Sequence, residues 1–370
     1  MSDVRIGKRE VGRERKPYLV AEIGQNHNGD PYLATRLISD AVKAGCDAVK
    51  FVKMTPRKNF TPQAYNATYD SEHSYGSTYG EHREALELSI EELVGLEERI
   101  AYNEWPIDTI MTVCDLWAID DVMDNLKPKA LKIASRDLTN LPLVRAVSQT
   151  GLPVILSTGM IHAFGEVHQA LQAVLEHTRD VIVLKCHSSY PTNIQDVGLE
   201  YIPAMLEMSN GPVGLSYHGN DPEVCVGAVA LGASMIEVHV TKSRAMKGRD
   251  HGFSWVKEEL EELRESIDLV HTASMYRYNH PAATAHKLGR SICAAQDLKE
   301  GHLIDQDDLE LRSPGTGLSW SERTQVIGKT VRDEIREGEM VTDAQVRDLV
   351  QYTTKSNFRN DINEESEASP

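Results

Sequence analysis

ALKIASRDLTNLPLVRAVSQTGLPVILSTGM, residues Ala130 to Met160, holds one full period of the pattern that decides the fold. It opens on an apolar run, passes through a helical stretch that stops on Gly151, and closes on a second apolar run, PVILST. A buried strand, a helix of about 10 to 15 residues and two short loops fill such a step, and strands joined this way lie parallel. Working outward, similar runs begin at Tyr18 (YLVAEIG), Asp47 (DAVKFV), Asp108 (DTIMTV), Val181 (VIVLKC), Pro212 (PVGLSY) and Ser234 (SMIEVHV), at steps of 22 to 31 residues with one step of 61. The segment DPYLATRLISDAVKAG reads as a helix ending on Gly45 by the same stop signal. Eight such units in about 260 residues predict an α/β fold of the (β/α)8 barrel type, with a doubly wound open sheet as the competing architecture. The long step contains a polar, Tyr-rich insertion (TPQAYNATYDSEHSYGSTYGEHRE), and a loop of that kind covers a site more often than it is structureless.

After the helical stretch VKEELEELRESIDLVHTASM the pattern breaks at YRYNHPAATAHKLG. The phrases DLKEGHLIDQDDL and EIREGEMVTDAQV then resemble each other, which predicts a small fold of two similar hairpin-and-turn halves. The expected organisation is an N-terminal extension (1–17), the barrel (18–275), a linker (276–286), a small domain (287–351) and a polar, disordered tail (352–370). The 370 residues include 39 Lys and Arg against 56 Asp and Glu, a net charge of −17, which argues against a non-specific hold on nucleic acid or an anionic membrane. No apolar run approaches the roughly 20 residues that span a bilayer, and the charged start MSDVRIGKREVGRERKPY is unlike a signal peptide, so a cytoplasmic protein is expected. Five cysteines without a CxxC pair read as reduced, buried thiols.

In a barrel of this kind the active site forms at the C-terminal ends of the strands. The unusual polar residues fall there: Glu22, Lys50, Thr112 and Asp115, Lys132 with Ser135 and Asp137, Ser157 with Thr158 and Gly159, His187 with Ser188 and Tyr190, Ser216 with His218, and Glu237 with His239. Taken singly, Glu22 and Lys50 could be a structural ion pair, and the hydroxyl residues could be helix caps. Together, hydroxyls, a glycine turn and lysines are what a phosphate group requires, which points to a phosphorylated substrate. His218 and His239 end adjacent strands, where two imidazoles suit a divalent metal with open positions better than a closed zinc site; two separate hydrogen-bonded histidines are the alternative. His27, in QNHNGD, reads either as part of the site or as a residue ordering its own loop.

With these segments in view, AEIGQNHNGD, DAVKF, KIASRDLTNLPL, VILSTGM, SSYPT, the His218 and His239 segments and RDHGFS resemble the N-acetylneuraminate (sialic acid) synthase family. GRSICAAQDLKEGHLIDQDDLELRSPGTGLS resembles the antifreeze-like (SAF, β-clip) domain that follows the barrel in those enzymes. The resemblance implies condensation of phosphoenolpyruvate with an N-acylated amino sugar aldehyde, such as N-acetylmannosamine, to a nonulosonic acid plus phosphate. It also implies a divalent metal, manganese or magnesium, and a domain-swapped homodimer. Carried over by position, His218 and His239 would bind the metal. Lys50, Thr112, Lys132, Ser135, Thr158 and Gly159, with Ser188 and Ser216, would hold phosphoenolpyruvate. Glu22, Asp137 and Lys50 would be the catalytic groups, with Asp137 handling the proton and water at C2. Glu22, Tyr190, Glu237 and Asp250 would contact the sugar, and Arg290 would reach its acylamino group from the second subunit.

The chain departs from the family's usual residues at Val52, Arg136, Lys185, Ser188, Tyr217 and Val238. The metal and phosphate sets survive, so the departures bear on the acceptor more than on the reaction. Arg136 and Lys185 read either as added positive charge near an anionic substrate or as surface charge. The competing functions are the same chemistry on another acceptor (a legionaminic or pseudaminic acid synthase, or an enzyme of a secondary-pathway aldehyde), a metal-dependent pyruvate aldolase, and a non-catalytic carbohydrate-binding protein.

Overall fold

The computed structural model describes residues 2–275 and 282–348. The chain forms two compact units, 1–276 and 277–370. The tail 352–370, expected to be disordered, lies outside the described residues.

A short antiparallel hairpin comes first, β1 (Val4–Ile6) and β2 (Arg9–Val11). Eight parallel strands follow: β3 (Tyr18–Gly24), β4 (Ala48–Lys53), β5 (Asp108–Val113), β6 (Ala130–Ile133), β7 (Val154–Ser157), β8 (Val181–Cys186), β9 (Val213–Tyr217) and β10 (Met235–His239). They neighbour one another in sequence order, and β10 pairs with β3, so the sheet is a closed barrel rather than the open, doubly wound alternative.

Helices alternate with the strands: α1 (Pro31–Lys43) after β3, short α2 (Pro56–Asn59), α3 (Pro62–Tyr65) and α4 (Tyr79–Ala85), then α5 (Ile90–Tyr102) after β4. Around the ring come α6 (Leu116–Asn125), α7 (Leu141–Ser148), α8 (Phe164–Leu175), α9 (Tyr201–Ser209), α10 (Pro222–Ala230) and α11 (Lys257–Ser274). Helix α1 shows why these segments fold as they do. Asp30 caps its first turn by accepting from the Tyr32 N–H, and Pro31 has no N–H to leave unsatisfied. Leu33, Ala34, Leu37, Ile38 and Ala41 form one buried face, and the chain leaves the helix through Gly45 at φ +74°.

Side chains alternate across each strand. On β8, Ile182 and Leu184 point into the barrel while Val181 and Val183 pack under the helices. The lower interior is a solid layer of Tyr18, Val20, Ala48, Ile110, Ala130, Ile155, Ile182, Leu184 and Met235. Val4, Ile6 and Val11 of the hairpin join that layer, so the stretch expected to be a mere extension forms the barrel's floor.

In the second unit, α12 (Ala282–Leu288) begins within the stretch read as a linker. Strands β11 (Ser291–Ala294) and β12 (Leu309–Arg312) pair antiparallel, as do β13 (Thr330–Val331) and β14 (Val346–Arg347). The two similar phrases take matching places. Leu298, Ile304 and Leu309 of the first, and Ile335, Val341 and Val346 of the second, share one core. Gly301 (φ +87°) and Gly338 (φ +80°) make equivalent turns. Leu298 and Ile335 exchange both backbone hydrogen bonds, at 2.7 and 2.9 Å.

Candidate active site

Above the apolar floor every barrel strand turns polar, and the polar ends enclose a cavity of about 410 Å³. Alternation along the strands stacks its wall: Lys50 lies below Val52, Thr112 below Cys114, Lys132 below Ala134, Ser216 below His218 and Glu237 below His239. Glu22, Ser157, Cys186, Ser188 and Tyr190 complete the ring of strand ends.

At the bottom, two lysines and two glutamates share one buried network. Lys50 pairs with Glu22, lies 3.8 Å from Glu237 and donates to Thr112 Oγ1 at 3.0 Å. Lys132 pairs with Glu237, which also accepts from Ser216 Oγ at 2.9 Å. All four side chains are 4 to 6% exposed. Burial works against the Lys50 ammonium, but Glu22 and Glu237 outweigh it and hold its pKa above the usual value. Burial dominates at Lys132, helped by the charge of Lys50, and lowers its pKa. For Glu237 burial favours the neutral form, yet two ammonium groups and the Ser216 hydroxyl hold its pKa below the usual range. Glu237 is thus the firmly ionised member of its pair.

The next level carries two facing features. On one side the His218 and His239 rings lie 5.5 Å apart between centroids, with Phe253 against both and Tyr190 4.2 Å from His218. His218 Nδ1 donates to the His187 carbonyl at 3.0 Å, which leaves Nε2 with its lone pair. Burial and the neighbouring His239 push the His218 pKa down to about 3, the neutral form that ligates metals. His239 Nδ1 is buried without a hydrogen-bond partner among the described residues, 3.9 Å from Asp250. Two imidazoles with unused lone pairs fit a divalent ion, and among the described residues no group of three or more His, Cys, Asp or Glu is placed to hold one.

The other side is a cradle of hydroxyls at the ends of β6, β7 and β8. Gly159 N donates to Ser135 Oγ at 2.9 Å, and Ser188 Oγ is buried without a partner among the described residues. A Cβ on Gly159 would lie well inside contact distance of Ser188 Oγ, 2.8 Å from Cys186 Sγ and 2.9 Å from Ser135 Oγ. Glycine is needed here for close approach.

Of the residues singled out from sequence, the cavity lining includes Glu22, Lys50, Thr112, Lys132, Ser135, Ser188, Tyr190, Ser216, His218, Glu237, His239 and Asp250. Thr158 and Gly159 do not line it: the Thr158 side chain is buried and donates to Leu184 O at 3.0 Å, Gly159 sits behind the hydroxyls of Ser135 and Ser188, and Ser157 faces the cavity instead. Asp137 is likewise outside the lining, its carboxylate 3.3 Å from Arg136 Nε. Arg290 belongs to the second unit, where it donates to Ser313 Oγ at 3.2 Å. His27 orders its own loop, accepting from Gly29 N at 3.0 Å. The two ambiguous cations separate: Arg136 lines the cavity, whereas Lys185 lies in the layer between barrel and helices, with Nζ donating to Cys186 O at 2.9 Å and Tyr201 beside it. The insertion supplies Tyr69, Tyr79, His82 and Arg83 to the wall. Its Tyr content gave a general signal, but nothing in the sequence singled out these four.

The sequence pattern of the NeuB family matches residues 37–277, and that of the SAF domain residues 289–347. The chain is 32% identical to N-acetylneuraminate-9-phosphate synthase of Homo sapiens, over 90% of this chain and 93% of that one. It is equally 32% identical to N,N'-diacetyllegionaminic acid synthase of Legionella pneumophila, over 90% of this chain and 95% of that one. Among solved structures, the N-acetylneuraminic acid synthetase of Leptospira borgpetersenii, in complex with citrate, superposes with a TM-score of 0.67 at 28% identity, covering 76% of this chain and 94% of that one. A closed barrel with polar strand ends, a following SAF domain and likeness along nine-tenths of the chain together show that the protein belongs to the NeuB family.

Proposed function

We propose that this enzyme condenses phosphoenolpyruvate with an N-acylated amino sugar aldehyde of the N-acetylmannosamine type, giving a nonulosonic acid and phosphate. One observation carries the reading: a single cavity joins a hydroxyl cradle beside Gly159, two buried lysines and two imidazoles. An anion with both phosphate and carboxylate, next to an aldehyde oxygen, matches that set.

The carbon C3 of phosphoenolpyruvate attacks the aldehyde carbon and leaves positive charge at C2. Glu22 and Glu237, carboxylates low on the cavity wall, stabilise it. Water adds at C2, and phosphate departs with cleavage of its bond from oxygen to C2. Ser135 and Ser188 hold that phosphate, and Gly159 leaves room for their hydroxyls. A divalent ion, manganese or magnesium, bound by His218 and His239, supplies Lewis-acid polarisation of the aldehyde. Tyr190 and Asp250 face the sugar from the same side as the histidines. Asp137 meets the cavity wall at Arg136, to which its carboxylate is bonded. The proposal includes a domain-swapped homodimer in which Arg290 of the second copy contacts the acylamino group, and a cytoplasmic location, consistent with five buried free thiols.

The experiment is phosphate release from phosphoenolpyruvate against a panel of acylamino sugars. Release that needs the sugar, ceases after chelation and returns with manganese is the expected result. Turnover of pyruvate in place of phosphoenolpyruvate supports the aldolase reading instead, and no turnover of either overturns the proposal. The panel also separates the neuraminic, legionaminic and pseudaminic acceptors, to the first two of which the relatives' 32% identities point equally.

A further inference from the structure

Lys50 and Lys132 stand where an anionic substrate must bind, yet each is already neutralised by Glu22 or Glu237. A cation with donors to spare elsewhere on the wall would add to what these paired lysines offer phosphoenolpyruvate. Of the remaining cations lining the cavity, Arg136 adjoins the hydroxyl cradle, because it follows Ser135 in the 3-10 turn Ser135–Asp137 at the end of β6.

The guanidinium carries five N–H donors in a planar fork and remains ionised at any working pH. Two of the five are engaged. Nε donates to Asp137 Oδ2 at 3.3 Å, and Nη2 donates to Cys114 Sγ at 2.9 Å. The other three have no acceptor among the described residues. The contact with Cys114, just past the end of β5, sets the fork over β5 and β6, above Thr112 and Lys132. The cradle of Ser135, Gly159 and Ser188 opens over β7 and β8. The wall therefore offers two anion positions, one framed by hydroxyls and close backbone, the other by a planar cation.

Resting on the synthase reading, we propose that Arg136 is a substrate-binding residue that grips the carboxylate of phosphoenolpyruvate, while the Ser135–Gly159–Ser188 cradle takes the phosphate. The two-oxygen plane of a carboxylate matches the fork, and the tetrahedral phosphate matches separate hydroxyl donors. Asp137 is then a positioning residue: it holds Nε and aims the remaining donors inward. An acid was expected at this turn as the proton handler, and the geometry turns it into the support of its neighbour.

The test is equilibrium binding of two probes to wild type, Arg136→Ala and Arg136→Lys, with no acceptor present. One probe is phosphoenolpyruvate, and the other is vinyl phosphate, which keeps the phosphate and enol but has no carboxylate. The expected result for Arg136→Ala is a phosphoenolpyruvate Kd raised by about 10- to 100-fold, as for loss of charge-assisted hydrogen bonds, with the vinyl phosphate Kd within twofold of wild type. Arg136→Lys, which keeps a point charge without the fork, should fall between. Unchanged phosphoenolpyruvate binding in Arg136→Ala overturns the proposal. Equal weakening of both probes, with thermal unfolding as in wild type, overturns the carboxylate assignment and places the phosphate on Arg136. Wild type that binds neither probe removes the synthase reading itself, and the assignment to Arg136 with it.

Discussion

Gly159→Ala is the sharpest single perturbation of the hydroxyl cradle, because it adds one methyl and no charge. That methyl would lie below 3.0 Å from Ser188 Oγ, Cys186 Sγ and Ser135 Oγ at once. Favourable carbon contacts lie at about 3.5 to 4.0 Å, so each side chain must retreat by roughly 1 Å. Ser188 can do so cheaply, since its hydroxyl has no partner to lose among the described residues. Ser135 cannot move without giving up its bond from Gly159 N. Overpacking of this kind costs about 1 to 3 kcal/mol of stability, which lowers Tm by roughly 2 to 4 °C per kcal/mol at this size. Binding suffers more. Two hydroxyls swung away from an anion, at about 1.5 kcal/mol or more each, raise the KM for phosphoenolpyruvate by about 100-fold or more. The assay is a saturation curve for phosphoenolpyruvate at fixed acceptor, beside a thermal melt. Gly165→Ala, at a position where an added Cβ meets nothing within 4 Å, is the control and should match wild type in KM. A phosphoenolpyruvate KM within twofold of wild type in Gly159→Ala, with the protein folded, would refute the placement of phosphate in the cradle.

Two further outcomes concern stability. Burial pushes the Glu87 pKa up to about 7 from 4.5, despite Lys53 at 3.8 Å and the Met54 N–H. The folded protein therefore holds this proton more tightly than the unfolded chain. Its contribution is fully present below pH 4.5 and is lost as pH rises through 7, about 3 kcal/mol in all. Glu87→Gln should remove that slope and exceed wild type in unfolding free energy at pH 8; parallel curves for the two proteins between pH 5 and 8 would count against it. Ile6→Ala removes a fully buried side chain from the barrel floor and should cost about 2 to 5 kcal/mol by denaturant titration, with a loss under 1 kcal/mol showing that the hairpin is not part of the core.

Much of the barrel was legible because parallel strands buried on both faces read as unbroken apolar runs, and because chemistry gathers at their C-terminal ends. Glu22, Lys50, Lys132 and Glu237 stand out in such runs, since a charge there is costly unless paired. The misplacements come from where the chain leaves a strand. At Ser157 and Thr158 one residue of phase decides which hydroxyl faces the cavity, and a strand exit has no fixed period to count on. At Arg136 and Asp137 a 3-10 turn presents the first to the cavity and the second to its neighbour. The floor hairpin was invisible for another reason: VRI and REV are three-residue strands inside a charged stretch, too short to show alternation.

That floor has a kinetic meaning. With Val4, Ile6 and Val11 closing the lower end of the barrel among the described residues, reactants meet the chamber at the strand ends where the polar residues lie. The reactant that seats deeper must then bind before the outer one covers it. Saturation with the outer partner should then trap the inner one, a sequence of events written into a three-residue strand far from the chemistry.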